Sequence, residues 1–113
     1  MRTFILCETE EGESVDYFFE VNKVEKCNMD GAKGEYIPIR LSKTDSRVPV
    51  INIKYDSDNS TIIHEALHAC IDFFRIIQKV DFDDLFDIVN PYGEEAFCHY
   101  HNQFCDAIHE ALR

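Results

Sequence analysis

A chain of 113 residues, 45% of them hydrophobic, has enough apolar sequence for one compact core, expected as a single domain over 1–113, but no length for a separate substrate-binding lobe. Acidic residues outnumber basic ones to a net charge of −11, which argues against nucleic acid as a partner, because phosphate contacts need a basic surface. The same charge suits a basic substrate or partner through long-range attraction, although solubility alone accounts for an acidic surface.

Met1 to Cys7 carries one charge and too short an apolar run for a secretory signal, and no later stretch reaches membrane-spanning length, so no membrane association is expected. The N-terminal half reads as strands. Thr3–Cys7, Tyr17–Val21, Tyr36–Leu41 and Val48–Tyr55 are rich in aromatic and β-branched residues, with turn formers such as Glu11-Gly12 and Asn28-Met29-Asp30-Gly31 between them. Pro38 and Pro49 confine their segments to edge strands or strand starts. Ser14 to Lys26 fits a helical period as well as a strand. Cysteines stand at 7, 27, 70, 98 and 105, an odd number with no paired short spacing, which suits a reducing cytoplasm and buried, inert thiols. Cys98 and Cys105, seven apart, share a helix face, with core packing as their default role.

The polar run Asp56 to Thr61 is cap-forming, and Ile62 to Lys79 follows it with apolar periodicity and no Pro or Gly. Ile63, Leu67, Cys70, Ile71 and Phe74 form a helical stripe expected to face the core. His64-Glu65-Ala66-Leu67-His68 lies in this helix. Residues four apart share a face, so His64 and His68 can aim ring nitrogens at one point, with Glu65 roughly 100° round the helix beside them. Two imidazole ligands and a carboxylate base at this spacing are the H-E-x-x-H pattern of zinc hydrolases. The plainer reading is a helix with two surface-edge histidines and a solvated glutamate. His109-Glu110-Ala111-Leu112 repeats the first four letters and then ends in Arg113, so the second copy reads as ordinary helical sequence.

A zinc site needs a third protein ligand. After a turn at Asn90-Pro91-Tyr92-Gly93, the run Glu94-Glu95-Ala96-Phe97-Cys98-His99 opens a second helix toward the C-terminus, preceded by the acidic stretch Asp81-Phe82-Asp83-Asp84. The HExxH motif followed by a helix beginning Glu-Glu-Ala-Phe resembles the gluzincin clan of metallopeptidases, the thermolysin-like proteins, and within it the small single-domain HExxH proteins of phage and bacterial genomes. The resemblance covers roughly residues 50–113. It implies a zincin-like α+β fold: a small, mostly antiparallel sheet followed by two or three helices, with the metal site between the active-site helix and the C-terminal one. It implies one zinc per chain, held by His64, His68 and a glutamate at the start of the second helix. Glu95 fits that position, with Cys98 three residues on and His99 four; Glu94, His99 and His101 are the alternatives. Thermolysin-like enzymes carry Asp where this chain has His99. The clan also binds extended peptide along an edge strand preceding the active-site helix, the sequence position of Val50–Tyr55.

The expected function is therefore a zinc metallopeptidase, or a zinc hydrolase of that architecture, with Glu65 as general base. Tyr92, His99, Tyr100 and His101 are candidates for the oxyanion donor. The small size points to narrow specificity for a protein or peptide substrate, with remote contacts or a second copy of the chain, as a homodimer, completing the cleft. The alternative is a small, acidic, non-catalytic binding or inhibitor protein whose HExxH helix is structural or holds a structural metal.

Overall fold

Alternating apolar and polar residues build the sheet from the N-terminus. In the computed structural model, which describes residues 1–9, 11–41, 47–80 and 91–113 (the side chains of Pro91 and Tyr92 excepted), β1 (Arg2–Glu8) and β2 (Ser14–Val24) form an antiparallel hairpin. Gly12, at φ 84, sits in its turn, in a conformation that L side chains rarely adopt. The strand period wins over the helical one across Ser14–Val24, because Tyr17, Phe19 and Val21 point together into the core.

β3 (Gly34–Ile37) stops at Pro38, and Ile39–Leu41 forms a 3-10 turn in which the Leu41 N–H donates to the Pro38 carbonyl at 2.9 Å. β4 (Val50–Lys54) follows, then α1 (Asn59–Ile76) and, after the segment 81–90, α2 (Pro91–Ala111). The acidic stretch at Asp81 lies outside the described residues.

The strand order is β1-β2-β4-β3, with β4 parallel to β2 and antiparallel to β3. The fold is α+β, with a mixed sheet in which antiparallel pairing predominates. The order corrects one expectation. Val50–Tyr55 is not an edge: β4 inserts between β2 and β3, as the complete burial of Ile51 and near-complete burial of Ile53 require. Among the described residues, the edge strand on that side is β3. Because the Lys54 N–H bonds the Lys33 carbonyl, the antiparallel alternation turns the backbone groups of Gly34 and Tyr36 toward that open edge.

Asp58 caps α1, its side chain accepting from the Thr61 N–H at 3.3 Å. The buried face of α1 is Ile62, Glu65, Ala66, Ala69, Cys70, Phe73 and Phe74, which lies about one residue round from the expected stripe. Ile63 is 50% and Leu67 37% exposed. The physical reason is that two acids, Glu65 and Asp72, take buried positions, and small Ala66 and Ala69 let the helix lie close to its neighbours.

Between the layers, Phe73 and Phe104 meet Tyr17 and Phe19, with ring centroids 5.3–6.0 Å apart. All five cysteines are free. Cys7, Cys27 and Cys70 are buried as expected, whereas Cys98 is exposed because Phe97, Phe104 and Ile108 form the buried face of α2. Among the described residues, no helix is long and apolar enough to cross a membrane.

Candidate metal centre

The cap at Asp58 starts α1 at Asn59 and so sets the rotation of the turn that carries the motif. On that turn the Nε2 atoms of His64 and His68 converge to 3.1 Å. Glu65 places Oε1 3.9 Å from His64 Nε2, and the donor atoms of His64, Glu65 and His68 all lie within 4.8 Å of one another. These three residues could hold a metal ion.

The two imidazoles fit one, with no third ligand besides Glu65 beside them among the described residues. Two nitrogens on a tetrahedral ion with bonds of 2.0–2.1 Å stand about 3.3 Å apart, close to what the two rings already present. The His64 side chain is 66% exposed, which leaves that side of the group open. Glu65 is 4% exposed, and its Oε2 is buried with no hydrogen-bond partner among the described residues. A buried carboxylate oxygen without a partner is costly to the fold.

Electrostatics point the same way. Burial raises the Glu65 carboxyl above the usual carboxylate range; His64 opposes the rise and Glu35 adds to it. Burial and then the His64 ring lower His68, which favours the neutral imidazole whose lone pair a metal needs.

The β3 edge forms the opposite wall. A cavity of about 750 Å³ lies between Lys33, Gly34 and Glu35 on the strand and Thr61, His64 and His68 on the helix, with Glu65 also lining it. Gly34 permits this approach. A Cβ there would stand 2.7 Å from Thr61 Cγ2 and 2.9 Å from Glu65 Cγ, closer than carbon atoms pack. The sequence signal for this wall was weak: a glycine in a polar stretch, with nothing to say that it meets the helix.

The second helix contributes differently from the expectation. Glu95 is exposed and lines a separate cavity with Leu6, Glu8, His99, Tyr100 and Gln103, so the structure does not bring it to the histidine pair. His99 faces Gln103 at 2.9 Å. The Tyr100 hydroxyl accepts from the Glu8 N–H at 3.3 Å, and its ring packs on Phe73 and Phe74. His101 comes nearest to the motif, its Nε2 lying 3.2 Å from the Ile63 carbonyl oxygen. Glu94 is exposed, and the Tyr92 side chain lies outside the described residues. Comparison of the chain with protein-family models, with curated proteins and with solved structures finds no match.

Proposed function

We propose that this chain is a zinc-dependent peptidase, or at least a zinc hydrolase, with His64 and His68 as ligands and Glu65 as general base. The observation that carries the reading is the 3.1 Å convergence of two ring nitrogens beside a buried carboxylate with a free oxygen. Zinc, when bound, supplies a Lewis acid that polarises a carbonyl and brings the pKa of water to about 7.

The remaining work falls to the chain. The carboxyl of Glu65 would take a proton from the attacking water at Oε1, the oxygen that faces His64, and return it to the leaving amine. The edge of β3 offers the backbone groups of Gly34 and Tyr36 to an extended substrate, which takes the place expected for Val50–Tyr55. Glu95 can serve as third ligand only if the start of α2 moves toward α1.

Zinc titration of the wild type, Glu65→Gln, His68→Ala and Glu95→Ala, with peptide hydrolysis measured on each, tests the reading. Wild type should take up one zinc. Glu65→Gln should keep it and lose hydrolysis by 100-fold or more, on the order of a lost general base, and His68→Ala should lose the metal. A wild-type chain that takes up no zinc ends the proposal. Zinc affinity retained in Glu95→Ala removes Glu95 from the ligand set.

One observation favours a second reading, a non-catalytic binding protein. Phe4, Leu6 and Phe18 are exposed together on the outer face of β1 and β2, with the two rings 5.6 Å apart. On that reading a co-purifying partner binds Glu65→Gln with unchanged affinity and gains no new N-termini.

A further inference from the structure

We infer that the small cavity beyond His68 is a subsite for the free C-terminal carboxylate of a peptide, so that the chain releases short C-terminal fragments instead of cutting within long chains. The fragment release rests on the peptidase reading; the anion chemistry does not.

The cavity, about 180 Å³, lies between Tyr36, Arg40, His68, Asp72 and Arg75. His68 and Tyr36 also line the larger cavity at the histidine pair, so the two spaces adjoin. Two arginines line it. Pro38 ends β3, and the 3-10 turn of Ile39–Leu41 brings Arg40 to the rim of the cavity; Arg75 follows His68 and Asp72 on the same helix face, in the last turn of α1.

Asp72 is buried and holds the arrangement. Its Oδ2 accepts the Tyr36 hydroxyl at 2.5 Å, and its Oδ1 lies 3.8 Å from Arg75 Nη1. Among the described residues that line the cavity, one carboxylate, Asp72, is set against two arginines, Arg40 and Arg75, so this lining is basic in a chain of net charge −11. A guanidinium fork matches a carboxylate in shape and charge.

The spacing identifies the substrate class. His68 and Arg75 are two turns apart, about 10 Å along the helix at 1.5 Å per residue. An extended peptide covers that distance in about three residues. A carboxylate held by Arg40 and Arg75 thus sets the bond at the histidine pair within about three residues of the chain end.

The test is competitive capture on immobilised, zinc-loaded Glu65→Gln protein. The probe is a randomised hexapeptide pool, half free acids and half C-terminal amides, distinguished by isotope. We expect the acids to be enriched about tenfold, and the enrichment to vanish in Glu65→Gln/Arg40→Ala/Arg75→Ala, whose added changes lie at exposed side chains. The overall field of an acidic protein disfavours acids, so a ratio above one cannot come from net charge. Equal capture, no capture, or a ratio that survives loss of both arginines overturns the subsite. Fragment mapping with zinc-loaded wild type separates the two claims. Enrichment without any cleavage leaves the carboxylate subsite standing and removes the peptidase reading. Cleavage far from chain ends, with equal rates for acids and amides, keeps the peptidase and removes the subsite.

Discussion

Glu65 combines three properties that rarely coexist in a structural residue: near-complete burial, an oxygen without a hydrogen-bond partner, and a neighbouring imidazole. In metal-free protein that carboxylate should weaken the fold, and the pH dependence has a definite sign. Its folded-state pKa is raised, so the native chain keeps the proton over an interval where the unfolded chain has lost it. Stability therefore falls as pH climbs from the ordinary glutamate range through the raised value, and the full cost is present above it. Wild type and Glu65→Gln should be equally stable near pH 4 in chelator. Near pH 7.5 the variant should be more stable, because it removes the desolvated charge while keeping the shape of the side chain. Urea denaturation at the two pH values measures this, and equal stability at both would mean that the carboxylate has found a partner. His64 and His68 were legible at this scale because i,i+4 spacing is local: once α1 forms, the two rings share a face whatever the rest of the chain does.

At the scale of elements, the contact between β3 and α1 depends on one missing methyl group. Gly34→Ala puts a carbon within 3 Å of side-chain atoms of both Thr61 and Glu65, so those side chains or the strand itself must shift. We expect a loss of about 1–3 kcal/mol from overpacking and weaker zinc binding, read by denaturation and by metal titration. Unchanged values in both would show that the edge yields freely. The cap is a second handle: Asp58→Ala should lower the denaturation midpoint, since the Thr61 N–H loses its side-chain acceptor. Elements were well legible where one period dominated, as in β1 and α1. Their partners were not. The expected stripe of Ile63 and Leu67 assumed that charged residues face water, whereas Glu65 and Asp72 are buried and the helix turned to suit them. His68, Asp72 and Arg75, spaced by helical turns, were the sequence signal that α1 carries a polar face beside its buried one. Glu95 was out of reach for a related reason. Its helix was readable, but which way that helix faces depends on Phe97, Phe104 and Ile108 packing against the rest of the core.

For the whole molecule, sheet order was the least legible feature. Proximity in sequence made β4 look like the strand beside α1, yet the chain lays down β3 on the outside and slots β4 between it and β2. A metal bound at one helical turn should nevertheless stabilise the entire fold. At a free zinc concentration 100 times the dissociation constant the gain is about 2.7 kcal/mol, or roughly 10 °C in Tm for a chain of this size. A chelator should reverse the shift and His68→Ala should abolish it, both measurable in a thermal melt; no shift in wild type would mean that the native state does not favour the ion. The placement of both histidines on a single turn also governs when the ion can act. Pairing Glu20 with Val50 requires a long excursion of the chain to close, whereas His64 and His68 are in place as soon as the first turns of α1 wind. A cation can therefore clip a nascent helix while the sheet is still open, helping past the unfavourable nucleation step. The share of any zinc stabilisation that comes from the histidine pair alone would then act on the rate of folding, and the share that needs the β3 wall would slow unfolding.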